Sequence, residues 1–138
     1  RCDLVLAAVI GGQGTNATGA GVVTTLGHVI GARHGVDNGV ANIIVLPHAL
    51  RFNAEASASG LAQAAAALDL APDVESVIAG IERLLAPLGL PRCLREVGVP
   101  QDALAEMARL GMADWFLRGN ARPVRDAAEL LQLLQEAW

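Results

Sequence analysis

A chain of 138 residues that is 53% hydrophobic and only 17% charged has the length of one domain, and its composition excludes a disordered polymer. Its net charge is −4, and its ten basic residues are all arginines scattered along the chain, which excludes the basic patch that nucleic-acid binding requires. With two Trp, two Phe and no Tyr, the core has to be built from Leu, Val, Ile and Ala.

Residues 2–12, CDLVLAAVIGG, are an apolar run that periodicity cannot assign to helix or strand. Gly11, Gly12 and Gly14 are expected to break it, and 15–19 to form a polar turn with Thr18 as the next N-cap. From Ala20 to about Arg33, Val22, Val23, Leu26, Val29 and Ile30 fall on one helical face. Another stripe of the same helix reads Thr24, Gly27, His28, Gly31. Two glycines inside a helix cost roughly 1 kcal/mol each against alanine. The stripe therefore serves either close packing of a second helix or a flat floor under a ligand, with Thr24 and His28 rising from it.

Residues 34–39 form a turn, with Asn38 able to cap the following helix. Val40 to Phe52 is apolar nearly all round and reads as a central helix, kinked where Pro47 removes a backbone hydrogen bond. An Ala-rich helix is expected over 55–68. Asp73 caps a run with apolar positions at Val74, Val77, Ile78, Ile81, Leu84, Leu85 and Leu88, ended by Pro87, Gly89 and Pro91. Pro100 opens a helix with Leu104, Met107, Ala108 and Gly111 inward. Asp126 and Glu129 resemble a capping box, and the last helix presents Ala127, Leu130, Leu131, Leu134 and Trp138 on one face. The expected fold is a single all-α helical bundle over 1–138. A β-α-β dinucleotide unit over the first fifty residues fails on two counts. The glycine spacing is not the fingerprint, and residues 55–138 supply no further strands.

Cys2 and Cys93 read as free thiols of a cytoplasmic protein. No apolar run reaches membrane-spanning length and no signal peptide is visible. His28 and His34 are six residues apart, which is not a spacing that places two metal ligands on one helix face, and His48 lies on a different helix. His34 reads as a solvated residue at a helix C-terminus, and His48 as a satisfied histidine near the proline. His28 is the exception, because glycines clear its face, and an imidazole there can hold or relay a proton.

The segment GAGVVTTLGHVIGARHGVDNGVANIIVLPHALRFN, from Gly19 to Asn53, resembles the signature region of the iron-containing (group III) alcohol dehydrogenases, a family that includes the maleylacetate reductases. The later LGLPRCLREVGVPQDALAEMARLGMADWFLRGNARPV and LLQLLQEAW resemble the family's C-terminal end. The resemblance runs from about Leu4 to Trp138. It implies the all-helical second domain of a two-domain oxidoreductase that interconverts an alcohol with an aldehyde or ketone. NAD or NADP would be bound mainly by an N-terminal α/β domain outside this chain, and the chain alone would not turn over. A small-molecule substrate and a homo-oligomer are the further implications.

The same resemblance places metal-ligating histidines of the family at the positions held here by Thr24 and Asn38. Their replacement implies no metal ligand in this segment. His28 matches a histidine that the family keeps beside the reacting carbon. The expected site is therefore a metal-independent pocket with His28 as the catalytic residue and Thr24, Gly27, Gly31 and Asn38 as its lining. The alternatives are a catalytically inactive relative kept as a scaffold or partner-binding module, and a maleylacetate reductase-like enzyme.

Overall fold

Seven α-helices follow one another without a strand in the computed structural model, which describes residues 1–138. They are α1 (Cys2–Thr18), α2 (Val22–His34), α3 (Asn38–Asn53), α4 (Ala58–Ala67), α5 (Val74–Leu85), α6 (Leu104–Gly111) and α7 (Ala127–Glu136). Short 3-10 turns at Ala86–Leu88, Leu94–Val97, Gln101–Ala103 and Trp115–Gly119 join the later ones. The all-α expectation holds.

The apolar face read along α2 becomes the centre of the core. Val22, Leu26, Val29 and Ile30 are buried there with Ala41, Ile44, Val45 and Ala49 of α3, Leu104, Met107 and Ala108 of α6, and Leu130, Leu133 and Leu134 of α7. Each fully buried leucine or isoleucine contributes on the order of 2 kcal/mol of transfer free energy. The helices α4 and α5 form a smaller annex, in which Leu61, Ala65 and Val77 pack beneath Leu50 and Ala54 at the end of α3.

Helix ends depart from the sequence reading in instructive ways. The glycines at 11, 12 and 14 do not break α1. Its ladder runs to Thr18, where the hydroxyls of Thr15 and Thr18 donate back to the carbonyls of Gly11 and Gly14. Termination falls to Gly19, whose φ of 81° lies in the region that glycine tolerates best. Thr18 is consequently a helix residue and not a cap. The amide of Val22 at the start of α2 is instead taken by Oδ1 of Asn120 at 3.1 Å, from 98 residues away. Gly21 makes this approach feasible, since a Cβ there would overlap the Asn120 side chain.

Between α2 and α3, Asp37 and not Asn38 is the cap. Its Oδ1 accepts the amides of Gly39 and Val40 at 2.8 and 3.2 Å, and Asn38 becomes the first helical residue. The helix α3 continues through Pro47 to Asn53. The Ala-rich helix begins at Ala58, three residues later than the expected 55. Asp73 caps α5 through the Ser76 amide. Asp126 accepts the amides of Ala128 and Glu129, while Glu129 reaches back one residue further than a capping box would, to the amide of Arg125 at 2.8 Å. On α7 the buried face contains Leu133 and Ala137 in addition to Leu130 and Leu134, and Leu131 and Trp138 lie at its border.

A clamp locks the end of α3 to the loop before α7. Asn120 Nδ2 donates to Asn53 Oδ1 at 2.8 Å and to the Arg122 carbonyl at 2.7 Å, and the Arg122 amide donates to the same Asn53 oxygen. The Arg122 guanidinium lies 4.0 Å above the Phe52 ring and donates to Glu129. No helix is long and apolar enough to cross a membrane.

Candidate active site

The glycine stripe of α2 faces the first turns of α3. A Cβ on Gly27 would overlap Oδ1 of Asn42, and a Cβ on either Gly27 or Gly31 would lie 3.4 Å from Oδ1 of Asn38. The Asn42 amide therefore occupies the space that Gly27 clears, a close helix–helix contact, while at Gly31 the nearest neighbour is the Val36 carbonyl, 3.2 Å from where a Cβ would stand. The Asn42 oxygen is buried there without a hydrogen-bond partner. A buried acceptor in that condition carries a desolvation cost of about 1–3 kcal/mol. Asn38 itself is exposed at the mouth of the turn, and Thr24 is half-buried one turn before His28. No hydrogen bond links Thr24, His28 and Asn38.

His28 is held by a residue that the sequence does not single out. Its Nδ1 lies 3.0 Å from Oδ2 of Asp114, in the turn that follows α6. The other Asp114 oxygen accepts the Phe116 amide at 2.8 Å, so the main chain fixes the carboxylate. The Phe116 ring packs 5.3 Å from the imidazole at 56°, and Trp115 packs 4.1 Å from Phe116. The His28 side chain is 39% exposed and that of Asp114 only 15%, so the pair presents the imidazole outward and shelters its support. The Nε2 atom of His28 has no hydrogen bond within the chain. Asp114 is 86 residues from His28 in sequence, and no local pattern points to it.

The other two histidines stand apart. His34 is in the last turn of α2, where a cation is favoured. His48 Nδ1 lies 3.6 Å from Glu136. Burial pushes its pKa below the ordinary histidine value and the nearby Glu136 carboxylate only partly offsets that. Two clefts are well formed and neither is lined by His28. One, of about 130 Å³, lies between α3 and α5 around Ile43, Pro47, Ile81 and Leu85. The other, of about 310 Å³, lies between the end of α3 and α7 and is lined by Arg51, Arg122, Arg125 and Glu129.

The sequence model described as "Fe-containing alcohol dehydrogenase family, C-terminal" matches residues 1–138. The chain belongs to the iron-containing alcohol dehydrogenase family. Among relatives, lactaldehyde reductase of Escherichia coli (strain K12) is 28% identical over 143 residues, covering 99% of this chain and 37% of that protein. The 1,3-propanediol dehydrogenase of Klebsiella pneumoniae is 30% identical over 145 residues, covering 100% of this chain and 37% of its own length. A crystal structure of 1,3-propanediol oxidoreductase superposes with a TM-score of 0.77 at 29% identity, over 86% of this chain and 32% of that one. An iron-containing alcohol dehydrogenase from Corynebacterium glutamicum gives 0.72 at 26% identity, over 86% and 32%. The chain thus spans a little over a third of the length of these relatives.

The family name raises the question of iron, and the donor set can be examined directly. No three His, Cys, Asp or Glu side chains converge anywhere in this iron-containing alcohol dehydrogenase domain. At the glycine face only His28 and Asp114 come together, and each is engaged by the other. Thr24 and Asn38 offer neutral oxygens, which bind a divalent transition metal weakly beside imidazole. The residues of this chain do not fit a closed ferrous site.

Proposed function

We propose that the chain is the helical substrate domain of an NAD(P)-dependent oxidoreductase that interconverts an alcohol and an aldehyde or ketone, and that its site works without a bound metal. The observation that carries the reading is the His28 imidazole. It stands half-exposed on α2, anchored through Nδ1 and with Nε2 unengaged. An imidazole so held can give a proton to a carbonyl oxygen during reduction and take it back from the alcohol during oxidation. When bound, mainly by a separate domain of the parent protein, NAD or NADP would supply the hydride. Thr24 and Asn38 offer a hydroxyl and an amide N–H to orient the substrate oxygen where a Lewis acid would otherwise polarise it. The relatives named for lactaldehyde and 1,3-propanediol support small alcohols and aldehydes as the substrate class.

The test is NAD(P)H oxidation by the parent protein against a panel of short aldehydes and ketones. Turnover is expected to survive EDTA, and His28→Ala is expected to reduce kcat by about 100-fold or more, the usual scale of general acid catalysis. Stoichiometric iron or zinc whose removal abolishes turnover sinks the metal-free reading. The replacement of histidine at Thr24 and Asn38 favours one second reading, a catalytically silent relative kept as a scaffold. No turnover across the panel, with the fold intact, selects it.

A further inference from the structure

We propose that Asp114 is the positioning residue of this site: it fixes His28 in one tautomer and makes Nε2 the nitrogen that exchanges protons with substrate. The inference rests on the assignment of His28 above, but its first test does not require turnover.

A carboxylate offers only lone pairs, so an imidazole nitrogen hydrogen-bonded to it must carry the proton. With Oδ2 of Asp114 at 3.0 Å, Nδ1 of His28 is that nitrogen. Neutral His28 then has its lone pair on Nε2, on the side away from the carboxylate. When His28 is protonated, the second proton resides on Nε2, and its transfer to a substrate oxygen returns the ring to the same Nδ1–H form. Asp114 gains and loses nothing in the cycle.

Three features make this a built support and not a chance surface pair. The carboxylate is mostly sheltered, whereas exposed pairs are worth little. Its second oxygen is bound to the Phe116 amide, which removes its rotational freedom. The Phe116 ring then packs against the imidazole itself. One short turn therefore restrains both an edge and a face of the histidine. Orientation of this kind matters because a small misplacement of a reacting group costs far more rate than binding.

Long-range ¹H–¹⁵N correlation spectra of the ¹⁵N-histidine-labelled parent protein, recorded above the histidine titration range, distinguish the tautomers. His28→Gln assigns the signal, and His34 and His48 are internal references. Wild-type His28 is expected as the Nδ1–H form. In Asp114→Ala it is expected to shift to a mixture dominated by Nε2–H. Asp114→Asn keeps an acceptor for the Phe116 amide and guards against a variant that fails to fold. It is expected to lower kcat of the parent enzyme at least about 10-fold with KM within about twofold, and Asp114→Glu to recover part of that loss. A wild-type His28 in the Nε2–H form, or an Asp114→Asn enzyme with unchanged kcat, overturns the proposal. The tautomer is read without cofactor or substrate, so it can fail while the oxidoreductase reading stands.

Discussion

Helices α1 and α2 are nearly matched in content and opposite in fate. Each contains a Val-Ile-Gly step and a mix of aliphatic and threonine residues. Yet α1 buries nothing, with Leu4 at 75% and Ile10 at 61% exposure, whereas α2 buries Val22, Thr25, Leu26, Gly27, Val29 and Ile30. Composition does not separate them. Geometry does, because the apolar residues of α2 recur on one face while those of α1 are spread around its axis. So do contacts made by distant residues. Asn120 caps the first turn of α2, Asp114 holds its middle and Glu106 meets Arg33 near its end. Nothing comparable reaches α1. A helix of this kind, with three glycines and no buried residue, is marginal in water on its own.

The contrast is sharpest for large apolar side chains. Leu26→Ala, at a fully buried position of α2, is expected to cost about 3 kcal/mol in urea unfolding of the isolated chain. Leu6→Ala in α1 should change global stability by no more than about 0.5 kcal/mol. Equal losses at the two positions would mean that α1 packs on the bundle in solution.

Glycines offer the next comparison. At Gly12 a Cβ meets nothing, so Gly12→Ala is expected to strengthen α1 locally by about 1 kcal/mol, read as slower amide hydrogen exchange there. At Gly27 the new methyl collides with Asn42. Gly27→Ala should lower global stability by on the order of 1 kcal/mol despite the better helix propensity. Asn42→Ala in the same chain should abolish most of that penalty, since the two residues share one space. A neutral Gly27→Ala would show that Asn42 gives way freely and that the face is open.

Acid should separate the two helices with the smallest amplitude. Burial lowers the His48 pKa below 6.5, so folding favours its neutral form. The stability it contributes is complete above about pH 6.5, the unfolded value, and declines as pH falls through the folded one. Glu129 is held below the usual carboxylate range by the Arg125 amide and guanidinium and then by Arg122. Glu75 is lowered by its hydrogen bond from Arg51. Their contributions are present above about pH 4.3 and are lost below it. None of these groups lies in α1. Urea midpoints of the bundle should therefore fall in two stages on acidification while α1 amide protection is unmoved by these titrations. A single stage that begins near pH 4 would remove His48 from the account.

Much of the bundle was legible because its signals are local. The apolar faces of α2, α6 and α7 and the caps at Asp73 and Asp126 are patterns of three or four residues' reach, whereas on α5 only Val77 and Ile78 of the expected stripe are buried and Leu84 and Leu88 stand exposed. The family segment pointed to His28 for the same reason, as an unbroken stretch. What escaped were contacts between residues far apart in the chain. Asp114 had no signal near His28, and Asn120 replaced the cap expected at Thr18. The glycines of α1 misled because a breaker signal reports a cost of roughly 1 kcal/mol each, not a prohibition. Asn38 was the expected cap of α3, but the Asp37 carboxylate one residue earlier takes that place by accepting two amides at once.

The bond from Val22 to Asn120 also sets an order of events during synthesis. The first turn of α2 emerges from the ribosome 98 residues before the side chain that caps it. At about 5–20 residues per second, that is an interval of roughly 5–20 s. Throughout it the central helix can pair with α3 through their short turn but cannot close its own N-terminus. The clamp of Asn53, Asn120 and Arg122 is then a late fastening, made when the last helix is being completed. A nascent chain stalled before residue 120 would keep the α2–α3 hairpin accessible to chaperones, and release of the loop would end that window.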